Sequence, residues 1–95
     1  MIAEFVGAVA GSFDSLERDS RGNEVNRTVN YAKVFVITEI DPDLYISVIG
    51  RKCEVFKVPF LDFEELFEGI EPGDRINLLF DSRGRVEYVQ KVGAG

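Results

Sequence analysis

The stretch IAEFVGAVAGSFDSL, residues 2–16, decides how this chain is read. It is rich in Val, Phe and Ala, and Gly7 and Gly11 interrupt it. Glycine weakens a helix interior, but in a strand it marks a bend or a bulge. A long, strongly bent first strand is expected. Outward from it, Asp19-Ser20-Arg21-Gly22-Asn23 reads as a turn in which Gly22 or Asn23 takes a positive φ. Residues 25–39, VNRTVNYAKVFVITE, then read as a second long strand. Val25, Val29, Tyr31, Phe35 and Ile37 share one parity, interrupted by Arg27 and Lys33, while Val34 and Val36 point the other way.

Further out, Asp41-Pro42-Asp43 is a turn signal, because proline presets φ and aspartates bond nearby amides. A hairpin partner is expected at 44–50, LYISVIG, and a reversal at Gly50-Arg51-Lys52 leads into a short strand, CEVFKVPF, ending at Pro59. Over 61–69 the period changes. Phe63, Leu66, Phe67 and Ile70 recur at spacings of three and four, predicting an amphipathic helix of about two turns capped by Asp62 and ended by Gly69. Residues 75–80 and 85–92 form a terminal hairpin around Asp81-Ser82-Arg83-Gly84. The tetrapeptide Asp-Ser-Arg-Gly thus occurs twice, at 19–22 and 81–84, and is read as shared turn chemistry rather than duplication.

Ninety-five residues allow one domain, 1–95, with one modest core. With 45% hydrophobic and 29% charged residues the chain should fold alone, neither disordered nor spanning a membrane. It contains no histidine, so imidazole catalysis and histidine-ligated zinc cannot be built from it. A single cysteine, Cys53, closes no internal disulfide and is expected half-buried in a strand. Residues 1–12 carry Glu4 in place of a basic leader, and cytoplasmic location is the expectation. Asp41 with Asp43 and Glu64 with Glu65 lack any catalytic or metal-loop setting and read as solvated acids; no enzyme activity and no cofactor is expected. The net charge is −6, but nine of the 17 acids lie in 39–43 and 62–74. The remainder holds eight acids against 11 bases, a balance of +3.

Three strands, a helix and two strands is the chain order of the five-stranded Greek-key OB barrel, with its helix between strands three and four. A mainly β, OB-fold-like barrel is therefore expected, with small Sm-like or SH3-like barrels as the alternative. The chain resembles the single-stranded-DNA-binding, helix-destabilising proteins of filamentous phages and related mobile elements. The resemblance is carried by Arg18-Asp19-Ser20-Arg21-Gly22-Asn23-Glu24-Val25 and by Tyr31-Ala32-Lys33-Val34. It is also similar to bacterial OB-type proteins in Pro72-Gly73-Asp74-Arg75 leading into alternating apolar residues. The resemblance implies binding of single-stranded nucleic acid in replication or DNA transfer.

Such binding needs bases that track phosphate and aromatic faces that stack. Arg18, Arg21, Arg27 and Lys33 line the first hairpin with Tyr31 between the last two. Tyr45, Arg51 and Lys52 are placed on the neighbouring hairpin. Phe35, Phe56, Phe63, Phe67 and Phe80 are read as core. Glu17, Asp19 and Glu24 interleave with the arginines and are expected to pair with them. The alternative function is a protein-interaction module whose acidic helix, 62–74, meets a basic protein partner. Exposed strand edges, at the last strand with Val89 or at the first strand, predict a homodimer.

Overall fold

The computed structural model describes residues 1–93. The bent first strand forms as β1, Ile2–Arg18, and pairs with β2, Glu24–Thr38, along almost its whole length. Its register shifts between Phe5 and Gly7, one extra residue that bends the strand where the glycine allows it. Before the bend, Ile2–Glu4 also pair with β4, Arg75–Phe80, which in turn pairs with β5, Val86–Lys91. On the far side β2 pairs with β3, Lys52–Lys57. The result is one open antiparallel sheet of order β3-β2-β1-β4-β5. The sheet curls: Phe56 of one edge strand meets Phe80 of β4 with ring centroids 5.1 Å apart, edge to face.

The concave face holds the core, in which Val34, Val36, Ile76, Leu78 and Val86 are fully buried. One helical turn, α1, Phe63–Leu66, covers it; Phe67 stacks on Phe5 at 5.5 Å and tilts against Phe63 at 5.2 Å. The expected two-turn helix is thus halved. Glu64 and Glu65 suit its first turn, but no base lies in its last, Asp62 makes no side-chain cap bond, and Gly69 (φ +75°) turns the chain away.

The strand expected at 44–50 does not form. A 3₁₀ turn at Pro42–Leu44, with Asp41 accepting from the Asp43 amide, leads into irregular chain in which Ile46 and Ile49 are fully exposed. Apart from Ser47 both parities of that segment are apolar, so it offers no polar face for the solvent side of a sheet. Residues 52–57 take the edge of β2 instead, because Phe56 and then Val58 alternate inward to the core.

Two further expectations change with the core. Val89 is 4% exposed and not an open edge, since a register shift at Leu79/Phe80 sets both Val86 and Val89 inward and leaves Tyr88 outside. On β2 the apolar-richer parity faces out. Ala32, Val34 and Val36 are the buried set, and Phe35, expected in the core, sits half-buried on the opposite face. Phe56, Phe63, Phe67 and Phe80 do pack against the core.

Candidate nucleic-acid interface

Beyond the Val9–Lys33 pair the hairpin leaves the body of the molecule as a two-stranded arm, because β3 reaches only back to Lys33 and β4 only to Glu4. Its tip is closed by Asp19, whose carboxylate accepts the amides of Arg21 and Asn23 at 2.9 Å each, and by Gly22 at φ +81°. The second copy of the tetrapeptide repeats this: Asp81 accepts from Arg83 at 2.9 Å and Arg85 at 3.0 Å, with Gly84 at φ +78°. At Asp81 the Arg85 amide holds the carboxyl below its usual range against partial desolvation, helped by the Arg83 amide and the Arg85 guanidinium. Asp74 is lowered likewise, first by the Glu71 amide, against partial desolvation, and then by Lys91 at 3.2 Å.

The outer face of the arm gathers part of the expected site. Arg27, Tyr31 and Lys33 alternate along β2, opposite Ser15, Gly11 and Val9 of β1. Tyr31 lies over Gly11, where an added Cβ would come within 2.6 Å of its hydroxyl; only glycine leaves room for the ring. Tyr31 tilts against Phe13 at 6.2 Å, and Lys33 Nζ is 5.8 Å from the Tyr31 ring centroid, within cation–π range. Phe13 is 54% exposed, an unusual state for a phenylalanine without a partner. Lys57 of β3 stands opposite Lys33 and extends the basic row. Arg27 pairs with Glu17 at 3.6 Å with both groups largely in water, an attraction weakened by solvent and salt. Arg18 and Arg21, exposed at the tip, have no carboxylate partner among the described residues, nor do Lys33 and Lys57.

The remaining candidates lie elsewhere. Lys52 is opposite Thr38, at the end of β2 farthest from the tip, about 45 Å away at roughly 3.3 Å per residue. It pairs with Glu54 at 3.2 Å, and Arg51 donates to Glu4 at 2.8 Å. Both border an open cleft of about 1290 Å³ that also takes in Ile37, Val48 and Val92. Tyr45 stands exposed in the irregular segment. Cys53, expected half-buried, is exposed on β3. Phe13 and Lys57 escaped the sequence reading because only strand register puts them beside Tyr31 and Lys33; the one local signal was Phe13 sharing parity with Gly11.

No group of three or more Cys, Asp or Glu residues able to hold a metal ion occurs among the described residues. No helix of the described residues is long and apolar enough to cross a membrane. Comparison with known proteins finds no matching family model, no matching curated protein and no matching solved structure.

Proposed function

We propose that this chain binds single-stranded nucleic acid along the outer face of its β1–β2 arm, as an OB-type protein serving replication or DNA transfer of a phage or mobile element. The observation that carries the reading is the exposed Phe13–Tyr31 pair flanked by Lys33, Lys57 and Arg27 on one sheet face. Bases stack on the two rings while the cations follow the phosphates, a recognition mode indifferent to sequence. The sheet order supports an OB type: β1 is central, β2 and β4 flank it, and β3 and β5 are the edges that such a barrel brings together. The Phe56–Phe80 contact and a small pocket shared by Lys57–Pro59 and Val86–Glu87 fit that closure.

The test is fluorescence anisotropy with labelled oligo-dT at two salt concentrations. Affinity should fall as salt rises, and Lys33→Glu with Lys57→Glu should weaken binding and flatten the salt slope. Charge reversal at Glu64 and Glu65 should leave binding intact. Salt-insensitive or absent binding sinks the reading. One observation favours the second reading, an acidic module for a basic protein: Glu64, Glu65, Glu68 and Glu71 are all exposed and make no ion pair among the described residues. Under that reading those reversals abolish binding to a poly-lysine probe, and the arm variants do not matter.

A further inference from the structure

From Val6 to Arg18, β1 has β2 on one side and no strand on the other. The last bonds on that other side are those of Phe5 to Gly73 and Asp74, both 2.8 Å. The Asp19 amide donates to the Asn23 carbonyl across the tip. By the alternation of an antiparallel ladder, odd-numbered residues of the arm therefore turn their amides and carbonyls toward β2. Even-numbered residues from Ala8 to Leu16 turn theirs outward. Proteins usually guard such an edge with lysine, proline or a bulge. This one has no charged side chain and no proline from Phe5 to Phe13, and its only register shift lies at the base.

We propose that a second copy of this chain occupies that edge, β1 pairing antiparallel with β1 about a two-fold axis at Ser12. In this register even residues meet even residues: Ser12 lies opposite itself, Ala10 opposite the partner's Asp14, and Ala8 opposite the partner's Leu16. From Ala8 to Leu16 every outward amide of the edge finds an outward carbonyl, and no acid faces an acid. Leu16, 70% exposed in the single chain, is laid against alanine. Phe13 comes opposite the partner's Gly11, whose outer side is covered by the partner's Tyr31 ring, so aromatic rings meet across the seam. Arg18 arrives opposite the partner's Val6, next to the acidic segment Glu71–Asp74, so its guanidinium meets that acidic turn. A chain of net charge −6 repels its copies over most of its surface; along Ala8–Leu16 each copy carries a single charge, Asp14, which this register sets opposite alanine. The pairing sets both Phe13–Tyr31 faces on the same side of a continuous sheet, but it does not depend on nucleic acid.

The experiment is light scattering with size-exclusion chromatography on the nucleic-acid-free protein, comparing wild type with Ala10→Pro, Ser12→Lys and Ser12→Asp. The Ala10 amide lies outside the intrachain ladder, so proline there spares the fold, which circular dichroism checks; Ser12→Lys tests the same edge without touching the backbone. Wild type should show twice the 10.7 kDa of one chain, and Ala10→Pro and Ser12→Lys the single mass. Mixing Ser12→Lys with Ser12→Asp should restore the double mass, since the axis brings residue 12 against itself. A wild-type monomer at high micromolar concentration overturns the proposal, as does a dimer that survives both edge variants. Protection of the Ala8 to Leu16 amides that appears only when oligo-dT is added overturns it too, by assigning the edge to nucleic acid.

Discussion

Tyr31 lies across Gly11 with its hydroxyl 2.6 Å from where a Cβ would stand, so the aromatic pair on the arm depends on the absence of a side chain. The atoms in conflict belong to the far end of a mobile ring, which can swing away at little cost to the fold. Gly11→Ala should therefore leave the melting temperature nearly unchanged while weakening oligo-dT binding in anisotropy by an amount close to that of Tyr31→Ala. For Tyr31→Ala or Phe13→Ala the expected loss is about 1–3 kcal/mol per stacked base, roughly 5- to 150-fold in affinity. Equal affinities for Gly11→Ala and wild type would remove the ring pair from the site. A second residue-scale effect concerns acid. The carboxyls of Asp74 and Asp81 titrate lower in the fold than in the unfolded chain, so their contribution is present above the unfolded carboxyl value of about 3.9. It is lost as pH falls through the folded value. The difference in melting temperature between wild type and Asp81→Asn should be widest near neutrality and shrink in that acid range. A difference independent of pH would mean that the charge of Asp81 adds nothing.

The two copies of Asp-Ser-Arg-Gly form the same turn in different settings. The turn at 81–84 joins β4, which buries Ile76 and Leu78 in the core, to β5, which buries Val86 and Val89; the turn at 19–22 closes an arm that ends in water. Alanine is strained at positive φ, so Gly84→Ala should lower stability in chemical denaturation by about 1–2 kcal/mol. Gly22→Ala, at φ +81°, should cost the whole fold less, because the arm can fray without opening the core. Reversed magnitudes would show that the arm does not fray independently of the core. The helical turn has a similar test. Phe67 is half-buried against Phe5 and Phe63, so Phe67→Ala should cost roughly 2–4 kcal/mol, below or within the usual range for a fully buried ring. In the irregular segment, Ile46→Ser and Ile49→Ser should change stability by less than about 0.5 kcal/mol, since both side chains already lie in water.

The whole molecule is elongated, 53 × 37 × 23 Å, with a radius of gyration of 17.3 Å. A compact chain of this length has about 12–13 Å. The excess comes from the arm, whose inner rungs share the sheet and whose outer rungs stand alone. An isolated two-stranded hairpin is marginal in water. Val9, Phe13 and Val25 are exposed along one face of this one and Leu16 along the other. Small-angle scattering at high dilution should return a radius near 17.3 Å. A value near that of a compact chain would mean the arm folds back on the body.

The signals carried by neighbouring residues were sufficient for much of this. The strands expected at 2–16, 25–39, 75–80 and 85–92, a helical turn within 61–69 and both Asp-Ser-Arg-Gly turns follow from period and local chemistry, which need no knowledge of what lies across the sheet. Which face of a strand is buried is a different matter. On β2 the parity with more apolar residues faces out, because burial is set by where β4, β5 and α1 come to rest rather than by the strand itself. The same holds for LYISVIG, apolar enough for a strand yet displaced because β2 has one free edge and the segment with Phe56 fills the core when it takes it. The site divides in the same way. Arg27, Tyr31 and Lys33 alternate along one strand and so were legible together. Phe13 and Lys57 join them, and Arg51 and Lys52 leave them, only through register, which is a relation between distant segments that tertiary packing alone establishes.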